Sequence, residues 1–183
     1  EIANTDFTDP KAIAINAHYL RTLPIVEIGA LVKKHFQTQG LWHDDYDGPR
    51  REWFLATLEL IRDRFHTIND FAEAGRAYFA DDYALDPQPL AKNVLKHPEL
   101  REWLPGLAER FAALKLFDKE HTETATRGMA EELAIKPGIL INAMRTVLTG
   151  QLAGPGLFDV LVALGREKVV ARLRDIDRLF GGI

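Results

Sequence analysis

The sequence of 183 residues contains neither cysteine nor serine. Without cysteine there can be no disulfide, cysteine-ligated zinc, iron–sulfur cluster or thiol nucleophile, and without serine there is no serine nucleophile. No apolar run approaches the ~18 to 20 residues that cross a bilayer, and the N-terminal letters EIANTD lack the basic start and apolar core of a signal peptide. These absences exclude several classes of enzyme, and they point neither to export nor to a membrane partner.

What is present is the composition of a soluble globular protein. Hydrophobic residues make up 46% of the chain and charged residues 27%, enough of the first to fill a core and of the second to stay in water. The formal net charge of -4 argues against a general nucleic-acid coat, although residues 127–183 alone carry 8 basic and 6 acidic side chains. Because the chain starts at Glu1 and not at Met, we expect it to be cut from a longer protein.

Apolar residues recur at intervals of three and four along nearly the whole chain, while alternating β-branched runs between tight turns are absent. This pattern predicts an all-helical fold. Helices are expected over residues 24–39, 53–65, 69–79, 100–114, 118–133, 137–149, 157–164 and 166–180. Prolines at positions 87 and 89 interrupt the pattern and predict a boundary between two helical subdomains, residues 1–86 and 87–183.

Cap residues mark several of the predicted helix ends. Asn69 and Asp118 are expected to cap the helices that they precede, because short polar side chains bond the first free amides of a helix. Gly40 and Gly150 are expected to end the helices that precede them.

One long segment resembles a known family. Residues 144–161, MRTVLTGQLAGPGLFDVL, are similar to the C-terminal end of bacterial glutamyl-tRNA synthetases. Further similar stretches are Leu164-Gly165 and Arg172-Leu173, AEELAIKPG at 130–138, RDRFHTI at 62–68 with Tyr78-Phe79, and FTDPKA at 7–12 with Asn16 and YLR at 19–21. The sequence departs from the family at residues 11–14, which lack its usual Leu and Trp, and at Asp118, where Trp is common. The resemblance nevertheless covers nearly the whole chain.

The resemblance implies both a fold and a function. Synthetases of this family carry a His-Ile-Gly-His-like and a Lys-Met-Ser-Lys-Ser-like motif in a catalytic half, and neither motif is present here. What remains resembles two consecutive helical subdomains, the anticodon-binding helix cage of a class I glutamate–tRNA ligase. The resemblance implies a cytoplasmic, monomeric protein whose partner is the anticodon loop of glutamate tRNA, with neither DNA nor membrane as a partner. ATP with Mg²⁺ is expected only in the absent catalytic half, so this chain is expected to hold no catalytic, cofactor or metal site.

The same resemblance implies tRNA contacts from Arg145, Gly154, Pro155, Leu157 and Phe158. Unpaired bases are recognised by stacking on planar or apolar groups and by hydrogen bonds to their edges, and a guanidinium offers a planar fork of donors. A glycine-rich turn lets a nucleotide approach the backbone closely. We expect Arg145 to be exposed, one of Leu157 and Phe158 to be buried, and the other to stack on a base.

Arg64 is the sixth candidate for tRNA binding. In the family, an arginine at the matching position is associated with enzymes restricted to glutamate tRNA, so the resemblance implies a discriminating enzyme. A purely structural interpretation stays open, because a cation in the last turn of a helix is favoured by the helix dipole.

Other interpretations also remain open. Arg145 could pair with Glu131 or Glu132, and the Gly-Pro-Gly turn at 154–156 could be only a connector between helices. The alternative function is then a non-catalytic helical scaffold whose apolar grooves hold a partner protein. An enzyme using Glu131 and Glu132 as an acid pair is disfavoured, because adjacent helical residues point apart.

A metal site is also disfavoured. The polar turn at residues 43–47 brings together one histidine and three aspartates, but no matching run of ligands occurs elsewhere. We therefore expect this turn to be a solvated loop.

Overall fold

The computed structural model describes residues 10–181. In this part of the chain there are twelve α-helices and no strand, so the predicted all-helical fold is confirmed. None of these helices is long and apolar enough to span a membrane. The chain start at Glu1 and the family resemblance at residues 7–9 lie outside the described residues.

The chain divides after Asp81 into two compact units. The first contains α1 (Pro10–Thr22), α2 (Ile25–Gln39), α3 (Arg51–Ile61), α4 (Asn69–Ala72) and α5 (Arg76–Phe79). The second contains α6 (Pro87–Leu90), α7 (Leu100–Ala113), α8 (Lys119–Glu132), α9 (Pro137–Thr149), α10 (Leu157–Leu164), α11 (Arg166–Arg174) and α12 (Ile176–Phe180). The predicted boundary between two helical subdomains, residues 1–86 and 87–183, stays a prediction.

The core of the first unit is built on α2. Its apolar face is fully buried at Ile28, Val32 and Phe36, and it packs against α3. The ring of Phe36 meets that of Phe79 edge-on, with the ring centroids 4.8 Å apart. The helix ends, as predicted, at Gly40, which adopts the left-handed conformation with φ 67°.

The predicted helix over residues 69–79 is wrong, because the chain forms the two separate four-residue helices α4 and α5 there. Asn69 does not act as the cap. Instead the carboxylate of Asp70 accepts hydrogen bonds from the backbone amides of His66 at 2.6 Å and Thr67 at 2.9 Å. The break itself follows α4, where Glu73 leaves helical geometry with φ -100° and ψ -86° and the Gly75 amide bonds the Asp70 carbonyl oxygen at 2.8 Å.

The second unit follows the sequence prediction more closely. Asp118 caps α8 as expected, since its Oδ1 atom accepts a hydrogen bond of 2.9 Å from the His121 amide. Pro137 opens α9, where a proline loses no helical hydrogen bond, and Gly150 closes that helix with φ 73°. The predicted helix over residues 166–180 breaks at Asp175, which ends α11 and whose side chain caps α12 by accepting from the Arg178 amide.

Candidate nucleic-acid interface

The C-terminal end of α9 leads into the predicted binding loop and is held by three hydrogen bonds. The last carbonyls of a helix have no partner within the helix and must be satisfied elsewhere. Here the donors are the Gly150 amide to Thr146 at 2.8 Å, the Tyr83 hydroxyl to Val147 at 2.5 Å, and Arg172 Nη1 to Leu148 at 2.7 Å. The loop therefore starts from a fixed position.

Two arginines surround Tyr83. The guanidinium of Arg172 lies 4.4 Å from the ring centroid and that of Arg178 lies 4.2 Å away. Arg178 also donates a hydrogen bond of 2.6 Å to the Tyr83 carbonyl oxygen. Arg172 is only 7% exposed, which is unusual for a cation and is explained by its ring contact and its bond to the helix end. The spacing of apolar residues in the sequence did not predict this contact between Tyr83 and the two arginines.

Gly150 sits where only glycine fits. Its φ of 73° lies in the left-handed region, and a Cβ at this position would collide with the carbonyl oxygen of Ala84. Its own carbonyl oxygen accepts a hydrogen bond of 3.1 Å from the Asp86 amide. The segment before α6 thus packs directly against the start of the loop.

Arg145 contacts the Gly-Pro-Gly turn. Its Nη1 atom donates a hydrogen bond of 2.7 Å to the carbonyl oxygen of Pro155, and a Cβ at Gly154 would lie only 3.2 Å from the same nitrogen. The expectation that Arg145 is exposed is wrong, because its side chain is half-buried against this turn. The structure brings together three of the predicted residues, Arg145, Gly154 and Pro155.

The other end of the turn approaches Asp159. This residue lies in the first turn of α10, and its carboxylate accepts two hydrogen bonds from Lys119, at 3.0 and 2.9 Å. A Cβ at Gly156 would come within 2.7 Å of Asp159 Oδ2. Within the described residues, the N–H and C=O groups of Gly154 form no hydrogen bond. The turn therefore offers backbone groups that a base edge can reach.

Leu157 and Phe158 begin α10, and the structure buries both of them, at 4% and 8% exposure. The expectation that one of the two would be left to stack is wrong, because α10 is apolar on nearly all sides and is enclosed by its neighbours α8, α9 and α11. Leu152, in the loop before the turn, is instead 48% exposed. Sequence reasoning missed it because a single leucine in a loop carries no periodic signal.

Arg64 belongs to the first unit, in a 3₁₀ turn formed by Arg62–Arg64 just beyond the end of α3. Its neighbour Arg62 makes the structural contacts, a hydrogen bond of 2.9 Å to the Leu23 carbonyl oxygen and an ion pair of 2.7 Å with Glu59. Arg64 itself is exposed, and its side chain has no ion pair with the part of the chain that is described.

Glu131 and Glu132, the alternative partners for Arg145, both lie at the C-terminal end of α8. Glu132 receives two hydrogen bonds from Arg110, at 2.9 and 2.5 Å. These bonds lower the pKa of the Glu132 carboxyl. Glu131 is exposed on the same helix.

The polar turn at residues 43–47 contains a 3₁₀ helix, Asp44–Asp47, around the buried Tyr46, whose pKa is raised by burial. Asp47 pairs with Lys33. Over residues 10–181 no group of three or more His, Asp or Glu side chains is arranged to hold a metal ion.

Comparison with known proteins identifies the class of protein to which this chain belongs. Residues 27–176 match the model of the anticodon binding domain, and the chain belongs to that family. It is 53% identical to the glutamate–tRNA ligase of Desulfotalea psychrophila over 95% of this chain and 35% of the relative. It is 41% identical to glutamate–tRNA ligase 2 of Koribacter versatilis over 94% of this chain and 35% of the relative. The predicted resemblance to bacterial glutamyl-tRNA synthetases is confirmed.

A solved structure has the same fold. The crystal structure of a glutamate tRNA ligase from Elizabethkingia meningosepticum aligns with a TM-score of 0.74 and 23% identity, over 89% of this chain and 31% of that chain. The chain thus spans about a third of the length of the curated relatives that it matches.

Proposed function

We propose that this chain binds the anticodon arm of glutamate tRNA, as the anticodon-binding part of a glutamate–tRNA ligase. The remaining two thirds of such a ligase would attach glutamate to the tRNA with ATP and Mg²⁺. The support is the family match over residues 27–176 together with the ligase relatives that align with nearly the whole chain. The predicted monomeric state and cytoplasmic location stay predictions.

The observation that carries the proposal is the hydrogen bond between Arg145 and the Pro155 carbonyl oxygen. It places a planar cation beside a turn in which Gly154 has no side chain and no hydrogen bond within the described residues. A base that enters this turn would meet a guanidinium fork and backbone groups at the same time, the combination that recognises unpaired bases. Leu152, exposed in the same loop, supplies an apolar surface for stacking.

We propose for Leu157 and Phe158 an indirect part in the same site. Because both are buried, they fix the start of α10 and with it the turn, so they act by positioning and not by stacking. Any direct contact with tRNA would need a change in the position of α10.

Arg64 is proposed as the residue that discriminates between tRNAs. Its exposed side chain is available to a base edge, whereas Arg62 is held by Glu59 and by the Leu23 carbonyl. A bidentate arginine contact supplies roughly 1 to 3 kcal/mol of discrimination between bases.

The test is a titration with transcribed glutamate tRNA and with the same tRNA carrying a scrambled anticodon loop. The chain should bind the first weakly and with strong salt dependence, because phosphate contacts release counterions. It should bind the scrambled tRNA at least several-fold more weakly. Equal affinity for both would show that the bases are not read, and no binding at low salt would favour the protein-interaction scaffold instead.

A further inference from the structure

A cavity of about 340 Å³ opens in the second unit between the π-helical turn Ala91–Leu95 and the start of α9. Its wall carries three lysines, Lys92, Lys96 and Lys136, together with His97. No acidic residue is among the described residues that line it.

The three lysines differ from most cations of this unit. Paired cations are found at Lys119 with Asp159, Arg110 with Glu132, Arg127 with Glu123, and Arg174 with Glu109. In contrast, none of the three cavity lysines forms an ion pair with any described residue. Like charges gathered around one cavity repel one another, and an anion that enters the cavity relieves this repulsion.

The walls of the cavity are fixed by a buried hydrogen bond. Asn93, only 8% exposed, donates from its amide nitrogen to the Thr146 hydroxyl at 3.0 Å and so ties the π-helical turn to α9. The first turn of α9 has no acidic side chain, and no side chain caps it. The Gly138 amide, in that first turn, has no partner within the helix, and Gly138 lines the cavity, so this amide adds a donor to the cationic wall.

The cavity and the turn lie on the same side of α9. Gly138, Asn142 and Arg145 are spaced by four and then three residues, which places them in one stripe along a helix. Seven residues of helix correspond to about 10 Å. A strand whose base sits at the Gly-Pro-Gly turn would therefore have to extend only about 10 Å along α9 to reach the cavity.

We propose that the cavity lined by Lys92, Lys96 and Lys136 binds a backbone phosphate of the RNA strand whose bases are read at the Arg145 turn. This inference rests on the proposed function and adds a contact that is independent of base sequence. Lysine is suited to such a contact, because its ammonium is a compact point charge without the planar fork that reads base edges. Contacts of this kind set the affinity and the register of the strand and do not identify its bases.

The test replaces Lys92, Lys96 and Lys136 by Gln, singly and together, and measures binding of glutamate tRNA by fluorescence anisotropy between 50 and 200 mM salt. The slope of log affinity against log salt concentration should fall by about one for each lysine that contacts a phosphate. The ratio of affinities for glutamate tRNA and its loop-scrambled form should not change. Lys34→Gln, an exposed lysine on α2, serves as a charge-matched control with an unchanged slope.

An unchanged slope in the triple variant would overturn the proposal, and so would a changed affinity ratio, since the cavity would then read bases. If the wild-type chain does not bind tRNA at all, the proposed function fails, and inorganic phosphate tests the cavity by itself. Saturable NMR shifts of the Gly138 and Ile139 amides should appear in the wild type and vanish in the triple variant. Shifts that are absent from the wild type, or equal in both proteins, would overturn the anion site.

Discussion

The hydroxyl of Tyr83 donates a hydrogen bond of 2.5 Å to the carbonyl oxygen of Val147, a residue 64 positions further along the chain. This bond joins the first residues of the second unit to the last turn of α9. The position of the predicted binding loop therefore depends on a residue that the loop sequence does not contain.

Tyr83→Phe should lower the free energy of unfolding by about 1–3 kcal/mol, because it leaves the buried Val147 carbonyl without this donor. Urea unfolding followed by circular dichroism measures the change. Tyr19→Phe is the matched control, since Tyr19 is 55% exposed, and it should change the stability by less than about 0.5 kcal/mol. Equal effects of the two substitutions would show that the bond to Val147 contributes nothing.

Gly150→Ala should be much more damaging than Gly40→Ala. Both glycines end helices in the left-handed conformation, so each substitution costs about 1–2 kcal/mol in backbone strain. A Cβ at Gly40 meets no atom, whereas one at Gly150 collides with the Ala84 carbonyl oxygen. Thermal melting should show a clearly larger loss for Gly150→Ala, and similar losses would mean that the close approach to Ala84 is not present in solution.

Arg145→Ala should weaken binding of glutamate tRNA by about 5- to 150-fold, the equivalent of a lost contact of 1 to 3 kcal/mol. Since the side chain is half-buried and bonded to Pro155, we also expect a stability loss of about 1 kcal/mol. Arg145→Lys should keep the salt dependence of binding but not the preference for the correct anticodon loop. Arg174→Ala removes the same charge from the exposed pair with Glu109 and should leave that preference unchanged.

Arg64→Gln, introduced into the complete ligase to which we assign the chain, should relax the choice between glutamate and glutamine tRNAs. The ratio of the two kcat/KM values should fall by about 5- to 150-fold, with a smaller loss of charging for the correct tRNA. Arg62→Gln is the neighbouring control and should lower stability without changing the ratio, because Arg62 bonds Leu23 and Glu59. If Arg64→Gln slows charging of both tRNAs equally, Arg64 does not discriminate between them. It then only contacts a phosphate or stabilises the end of its helix.

Asp118→Asn should remove a pH-dependent part of the stability. Hydrogen bonds from the His121 amide and ring lower the pKa of the folded Asp118 carboxyl below that of the unfolded chain. This stabilisation is therefore complete above the unfolded value, at a pH of about 4, and is lost as the pH falls through the lower folded value. Unfolding curves of wild type and variant should differ at neutral pH and converge at low pH. A difference that persists unchanged at low pH would exclude titration of Asp118 as its cause.

The helices that the sequence predicted well are those whose ends are set by local chemistry. Asp118, Pro137 and Gly150 act on the backbone within a few residues of themselves, so their effect is visible in the sequence. The predicted helix over residues 69–79 was wrong because the backbone leaves helical geometry at Glu73, and that over residues 166–180 because Asp175 ends one helix and caps the next, although the apolar spacing continues across both breaks.

The site was predictable in its residue types but not in its packing. The family segment indicated Arg145 and the Gly-Pro-Gly turn, and the structure brings them into contact. The burial of both Leu157 and Phe158 depends on three neighbouring helices, which no local pattern describes. The cavity lysines were missed because Lys136 is 40 residues or more from Lys92 and Lys96 in the chain.

The three donors at the end of α9 also affect how the molecule opens. Helix termini normally fray, and their amides exchange with solvent faster than those of the core. Here the carbonyls of Thr146, Val147 and Leu148 are each bound to a donor, and two of these donors come from distant parts of the unit. The last turn of α9 should thus fray less than an ordinary helix end, and its amide hydrogens should exchange more slowly than those of a free helix terminus. We therefore expect any adjustment on binding to begin beyond this anchored helix end, in the loop that follows Gly150.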